Sequence, residues 1–348
     1  MNPILLLLAT ILLPAPSFLE CGSLLPLFRA GACHRVNLRR QAALQKAAAS
    51  RRTPKKTPEV IYKPDPNWPA AHGRGVPDYG TAMVMSVAVD ATGQVIVVQR
   101  ARHPILVFDR AGHFLRAWGE GFFTAPHACR VDPQGNLWIT DTGDHRVMKF
   151  TPEGKLLATW GVKNRPGSDS RHFNQPSDVA FAPFGDIYIA DGYGNARVVR
   201  LSPMGQYLGA WGKRGTRPGQ FRLVHSIAVD AQGRAYVVDR ANDRIQVFTP
   251  DGRFLAQWRH VGHPFGLFLT PDQRLFVSDG IANTITIYDL QGQRLAQFGG
   301  TGRRPGQMRR AHMLCVDTDG AVYVAEVNGK RIQKFLPVPA PHAKALAQ

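Results

Sequence analysis

The chain of 348 residues has little cysteine and little negative charge. Its four cysteines, Cys21, Cys33, Cys129 and Cys315, form no Cys-x-x-Cys pair, which excludes a zinc site built on cysteine. Asp and Glu number 25 against 43 Lys and Arg, so the formal net charge is +18. The apolar stretch at residues 3–19 has the length of a signal-peptide core and is short for a membrane span.

The first 32 residues are predicted to be a signal-peptide-like leader. Ala30-Gly31-Ala32 resembles a cleavage site, with a lipid anchor at Cys33 or an uncleaved anchor as the alternatives. We therefore expect an exported protein, periplasmic or secreted. Any attachment to a membrane is expected only through this leader or lipid.

Residues 33–57 are predicted to be a basic linker. Between Arg29 and Lys56 the chain carries Lys and Arg but no acidic residue, and these charges are half of the net total. Such a segment is either a solvated linker or a tail for nucleic acid or anionic lipid. The linker interpretation is preferred, and we do not expect a nucleic-acid partner.

Glycine, at 34 residues, and proline, at 26, are abundant without a collagen period, which indicates many tight turns. Six segments share one pattern: an apolar strand ending near Val-Asp, a glycine turn, a second strand ending in Asp, and a strand such as residues 244–248 (RIQVF). The repeat length of roughly 40–50 residues is typical of a four-stranded propeller blade.

The pattern resembles the NHL repeat and predicts an all-β fold, a six-bladed β-propeller with four-stranded blades over residues 58–338. Residues 339–348 are expected to form a tail. The last copy lacks a fourth strand after Phe335, and residues 60–62 (VIY) are expected to supply it and close the circle of blades.

His127, His225 and His312 occupy the same repeat position, the start of the inner strand, in blades two, four and six. Alternate blades of a six-fold ring form a three-fold arrangement around the axis. We therefore expect the three imidazoles to converge, as in a catalytic zinc site with one open position. The alternative is that this position tolerates histidine for structural reasons.

Three further residues are predicted to lie on the same face. Arg100 and Arg240 follow the second strands of blades one and four, and Tyr193 lies in the corresponding turn of blade three. Two guanidiniums near a metal favour a ligand with a carboxylate. A tyrosine beside the metal and the arginines could have its pKa lowered and act as a base. Pairing of the arginines with neighbouring Asp residues is the alternative.

Polar residues that recur in every blade are interpreted as structural, because repetition indicates turn capping rather than a unique site. They are Asp141, Asp191, Asp239, Asp279, Glu326, Arg146, Arg197, Arg244 and Arg331.

One stretch, residues 166–179 (PGSDSRHFNQPSDV), is more specific than the general repeat. Further distinctive stretches are residues 125–127, 136–141, 189–198, 225–226, 239–240 and 244–246. On these stretches the chain from about residue 83 to 337 resembles peptidyl-α-hydroxyglycine α-amidating lyase.

This resemblance implies zinc ligands at His127, His225 and His312, a catalytic tyrosine at Tyr193, and active-site arginines at Arg100 and Arg240. It implies cleavage of an N-acyl or peptidyl α-hydroxyglycine, or a related carbinolamide, to an amide and glyoxylate. No redox cofactor is implied.

The chain departs from the family's pattern at three places. Asn174 and Gly194 stand where the family has the two cysteines of a disulfide near the tyrosine. We therefore expect Tyr193 to be held less firmly than in the family. Met313 stands where the family has an Asp ligand of a structural calcium, and this replacement argues against that calcium site. Arg310 stands where the family has a methionine near the third histidine, and this replacement changes the charge of the pocket.

Two other functions fit the repeat. A non-catalytic propeller would bind a protein or single-stranded RNA on its face, which a basic surface favours. A different hydrolase, such as a lactonase, would use carboxylates around a divalent ion, whereas the residues expected here are histidines.

Overall fold

The computed structural model describes residues 60–339, which form six four-stranded antiparallel sheets. The predicted six-bladed β-propeller is confirmed. The predicted leader, the basic linker and almost all of the C-terminal tail lie outside the described residues. Among the described residues no helix is both long enough and apolar enough to cross a membrane.

The blades follow one another along the chain, and each runs from an inner strand at the channel to an outer strand. Blades one and two are β2 (Met83–Val89), β3 (Val95–Arg100), β4 (Ile105–Phe108), β5 (Phe114–Trp118) and β6 (Pro126–Val131), β7 (Leu137–Asp141), β8 (Arg146–Phe150), β9 (Leu156–Trp160). Blades three and four are β10 (Pro176–Phe181), β11 (Ile187–Asp191), β12 (Arg197–Leu201), β13 (Tyr207–Trp211) and β14 (Val224–Val229), β15 (Ala235–Asp239), β16 (Arg244–Phe248), β17 (Phe254–Trp258).

Blade five is β18 (Pro264–Leu269), β19 (Leu275–Asp279), β20 (Thr284–Tyr288) and β21 (Arg294–Gly299). Blade six is β22 (Ala311–Val316), β23 (Val322–Glu326), β24 (Arg331–Pro339) and β1 (Val60–Pro64). The only helical elements in the described residues are two short 3₁₀ turns, Ala70–Gly73 and Arg240–Asn242.

The sixth blade joins the two ends of the described chain. β1 pairs antiparallel with β24, from Val60 opposite Pro339 to Pro64 opposite Phe335. β24 pairs with β23 only as far as Phe335, so its continuation through Pro337 and Pro339 has β1 as its single neighbour. Prolines, which have no N–H to donate, are tolerated there because no strand lies on the other side of this part of β24 to need one.

Each of the first four blades packs against the next through a tryptophan at the end of its outer strand. Trp118, the last residue of blade one, covers Gly154 in the outer hairpin turn of blade two. A Cβ at Gly154 would lie 2.7 Å from the indole, and its φ of +94° is one that glycine adopts readily. The same contact joins Trp160 to Gly205, Trp211 to Gly252, and Trp258 to Gly292.

The strand directions define two faces of the disc. The connection from each outer strand to the next inner strand, and the turn between the second and third strands, lie on one face, here called the upper face. Asp141 joins these two segments in blade two, because its carboxylate accepts from the backbone N–H groups of Thr124, Ala125 and Gly143 at 2.7–2.9 Å. The structural interpretation of the recurring acids is confirmed by such bonds at Asp191, Asp239, Asp279 and Glu326.

Candidate metal centre

Each of the three histidines lies in a β-bulge at the start of its inner strand. In blade two the register passes from Pro126 opposite Asp141 to Cys129 opposite Ile139, so β6 holds one extra residue there. The same shift occurs around His225 and His312. A bulge redirects a side chain without ending the strand. Here the three imidazoles meet, and one ring nitrogen of each lies within 4.8 Å of the others.

The hydrogen bonds of the imidazoles identify the nitrogen that is free to bind a metal. The Nδ1 atoms of His127, His225 and His312 donate to backbone carbonyls at 2.7, 2.8 and 2.6 Å. The acceptors are Ser177, Phe265 and Met85, which occupy the histidine position in blades three, five and one. A carbonyl only accepts, so Nδ1 carries the proton and each Nε2 presents a lone pair.

Burial keeps the three imidazoles neutral. All three are at most 3% exposed. Burial lowers the pKa of His127 to about 3, and lowers the pKa of His225 and His312 well below the ordinary value. Neutral imidazole is the form that binds metal ions, so burial removes proton competition for the site. Three such nitrogens and no thiolate suit Zn²⁺.

Tyr193 reaches the same point from the turn after β11. Its hydroxyl lies 2.9 Å from Nε2 of His225 and 3.1 Å from Nε2 of His127, and it accepts a hydrogen bond from Arg240 at 3.2 Å. Burial raises the pKa of Tyr193, and the positive charges of Arg240 and Arg100 offset this only in part. The arginines therefore do act in the expected direction, but without a metal ion burial outweighs them and the pKa of Tyr193 is above its ordinary value.

The two predicted arginines flank the tyrosine, and neither forms an ion pair with a described residue. Arg100 donates to the carbonyl of Pro126 at 3.3 Å and to the Thr142 hydroxyl at 3.2 Å. The Arg240 guanidinium lies 4.6 Å from the centre of the Phe265 ring. The proposed alternative, pairing with neighbouring Asp residues, does not occur. Both positive charges thus remain available to an anionic ligand.

The tyrosine turn is held without the disulfide that the resemblance implies. The backbone N–H groups of Gly194 and Asn195 donate to the Asn174 carbonyl at 3.0 and 3.3 Å, and that of Tyr193 donates to Gln175 at 3.3 Å. Three backbone bonds therefore fix the turn that carries the hydroxyl. The structure brings together all six predicted site residues.

A guanidinium that the sequence analysis missed crosses the channel beneath the histidines. Arg130 binds both carboxylate oxygens of Asp178 at 2.8–2.9 Å and donates to the backbone carbonyls of Leu267 at 2.8 Å and Leu314 at 3.4 Å. Leu267 and Leu314 lie two residues after the histidine position, as does Cys129. A charged side chain in an otherwise apolar inner strand was the signal that could have identified it.

The channel also contains a cavity of 270 Å³, lined by the later residues of the six inner strands together with Arg130. None of the three histidines lines this cavity. A ligand therefore approaches the histidines from the upper face, where Tyr193, Arg100 and Arg240 lie.

Fold and site together define an NHL-type propeller with a three-histidine centre at the upper mouth of its channel. The NHL repeat matches residues 173–201 and 221–248. Human NHL repeat-containing protein 3 is 33% identical over 309 residues, which cover 81% of this chain and 86% of the human protein. The chain belongs to the NHL-repeat family.

Amidating enzymes are also among its relatives. Peptidyl-glycine alpha-amidating monooxygenase B of Xenopus laevis is 30% identical over 82% of this chain and 36% of its own length. Peptidyl-alpha-hydroxyglycine alpha-amidating lyase 1 of Drosophila melanogaster is 32% identical over 63% of this chain and 46% of its own length. The solved structure of a streptogramin B lyase shares the fold, with a TM-score of 0.57 and 16% identity over 80% of this chain and 98% of that chain.

Proposed function

We propose that this protein is a zinc-dependent carbon–nitrogen lyase that cleaves an N-acyl or peptidyl α-hydroxyglycine to an amide and glyoxylate. The convergence of His127, His225 and His312 within 4.8 Å carries the proposal, because packing alone does not require three buried histidines with unprotonated Nε2 atoms. The similarity to a peptidyl-alpha-hydroxyglycine alpha-amidating lyase supports the reaction type.

The histidines would hold the metal, and each backbone carbonyl behind an imidazole fixes the orientation of that ligand. When bound, zinc supplies the positive charge of a Lewis acid next to the reacting oxygen. Arg100 and Arg240 would hold the substrate carboxylate, since no carboxylate of the described protein pairs with either guanidinium.

Tyr193, as the phenolate, is the base in this proposal, and Arg240, Arg100 and a bound metal would favour that ionised form. Its oxygen takes the hydroxyl proton of the substrate, the C–N bond breaks, the hydroxyl carbon becomes the aldehyde of glyoxylate, and the proton passes to the amide nitrogen. The amide nitrogen gains one proton, so hydrogen balances and nothing is oxidised. Arg240, 3.2 Å from the tyrosine oxygen, stabilises the negative charge that this oxygen carries before it takes the proton.

The test is to measure the metal content of the purified protein by elemental analysis, together with glyoxylate release from an N-acyl α-hydroxyglycine. About one zinc per chain with glyoxylate release supports the lyase. Bound zinc without glyoxylate release supports the metal site but indicates that the substrate is a different compound. A protein that takes up no zinc on remetallation contradicts the proposal and favours a non-catalytic binding propeller.

The site of action is also part of the proposal. We propose that residues 1–32 direct export, so that the substrate is met outside the cytoplasm, and that a small molecule or peptide with a carboxylate is the ligand. Cell fractionation with an antibody to the propeller tests this, and a protein found wholly in the cytoplasm contradicts it.

A further inference from the structure

Arg310 places a third guanidinium at the mouth of the site. It lies two residues before His312, at φ +60°, and its backbone N–H donates to the buried Asn283 side chain. The carbonyl of Arg310 accepts from Val327 at 3.1 Å. Both backbone polar groups of Arg310 are therefore hydrogen-bonded, and these bonds fix the position of its Cα, from which the exposed side chain extends.

The side chain extends over Phe265, the ring that also contacts Arg240. The two guanidiniums lie 5.6 and 4.6 Å from the centre of this ring. The same ring centre lies 5.4 Å from that of His225 and 5.9 Å from that of His312. Arg310 thus belongs to the wall of the site and not to the outer surface of a blade.

No described carboxylate pairs with Arg310, Arg240 or Arg100. Two like charges against one ring repel each other, and an anion between them would relieve that repulsion. One carboxylate of the substrate is already assigned to Arg100 and Arg240. The site therefore holds one guanidinium more than a substrate with a single carboxylate requires.

The upper face continues this excess of positive charge. The loops at residues 212–223 and 300–310 share the motif Arg-Pro-Gly-Gln and contain no Asp or Glu. Their exposed cations, none of which forms an ion pair with a described residue, are Lys213, Arg214, Arg217, Arg222, Arg303, Arg304 and Arg309. By contrast, Asp78, Glu120, Asp169 and Asp243 on this face each contact a histidine.

We propose that Arg310 determines specificity by binding a second anionic group, located on the acyl side of the substrate. The preferred substrate is then an N-acyl α-hydroxyglycine whose acyl group carries a carboxylate, such as an acidic side chain or a dicarboxylic acid. This inference rests on the proposed function for the reaction but makes a separate statement about binding.

The binding test uses two isosteric, unreactive ligands, N-succinylglycine and N-succinamoylglycine, which differ in one negative charge. Calorimetry with the full chain, zinc-loaded and metal-free, is expected to show about tenfold tighter binding of the succinyl compound, the effect of one charge-assisted contact. Arg310→Met is expected to abolish that preference without weakening binding of the singly charged succinamoyl compound. Arg222→Met, a matched loss of charge on the rim, is expected to retain it.

The matching succinyl and succinamoyl α-hydroxyglycines then give the same comparison in kcat/KM for glyoxylate release. Absence of turnover with both contradicts the lyase and leaves the calorimetric result standing. Equal affinities in the unmodified protein overturn the inference even if the lyase is active. A preference that survives in Arg310→Met also overturns it and assigns charge recognition to the rim.

Discussion

At the scale of single residues, the site depends on which ring nitrogen each histidine leaves free. The sequence places the three histidines at one repeat position, which predicts that they converge. It does not reveal that each Nδ1 meets a carbonyl of the next blade, because the distance between blades is set by packing along the whole strand. The acceptors Ser177, Phe265 and Met85 have unrelated side chains, since only their backbone oxygen is used.

Replacing His225 with alanine is expected to remove the metal while the propeller stays folded. The change removes one ligand and one buried hydrogen bond, which costs about 1–3 kcal/mol of stability. The metal content measured by elemental analysis should fall from about one ion per chain to almost none, while the far-UV circular dichroism spectrum stays unchanged. His113→Ala is the control, because this exposed imidazole pairs only with Asp109 in an outer hairpin. Undiminished metal in His225→Ala would contradict the assignment.

Tyr193→Phe separates chemistry from metal binding. Loss of the hydroxyl that lies 2.9 Å from His225 Nε2 removes the base but none of the ligands. Glyoxylate release is expected to fall by roughly 10²–10⁴-fold, the usual contribution of general base catalysis, with metal content retained. Tyr207→Phe, on an outer strand, is the matched control and should keep full activity. Retention of activity in Tyr193→Phe would assign the proton to another group.

At the scale of secondary structure, the repeat predicts the strands well but not the bulges. Apolar runs and recurring Asp and Gly mark the strands and turns, because each blade meets the same neighbours. A register shift occurs at the same position in all six inner strands, three of which carry the histidines there, and it leaves no mark on this pattern. The continuation of β24 through Pro337 was likewise unpredicted. Beyond Phe335 this strand has left β23 and pairs only with β1.

Gly192→Ala tests how closely the tyrosine turn and the inner strand of blade four fit. A Cβ at Gly192 would overlap the backbone carbonyl of Val224, the residue before His225. The turn and the strand must separate, so we expect a loss of about 1–3 kcal/mol of stability and of most lyase activity. Gly209→Ala on an outer strand has open space around it and should change neither. Denaturant unfolding and the glyoxylate assay measure both effects.

At the scale of the whole molecule, the polar network in the channel joins blades that are far apart in the chain. Arg130 of blade two contacts Asp178 of blade three, Leu267 of blade five and Leu314 of blade six. The Asp178 carboxylate also accepts from the Ser226 hydroxyl of blade four at 2.6 Å. Five inner strands are thus linked just below the histidines, and three of these strands carry the histidines themselves.

A double-mutant cycle measures this network. Arg130→Met leaves the Asp178 carboxylate buried and unpaired, which is expected to cost about 3–5 kcal/mol. Adding Asp178→Asn to Arg130→Met removes that stranded charge, so the double variant should be more stable than Arg130→Met alone. Because Met313 stands where the resemblance implies an Asp ligand of calcium, a calcium-selective chelator should leave the melting temperature of the unmodified protein unchanged. If the losses of stability from the two substitutions instead simply add in the double variant, or if the chelator lowers the melting temperature, something other than the charge of Arg130 stabilises the channel.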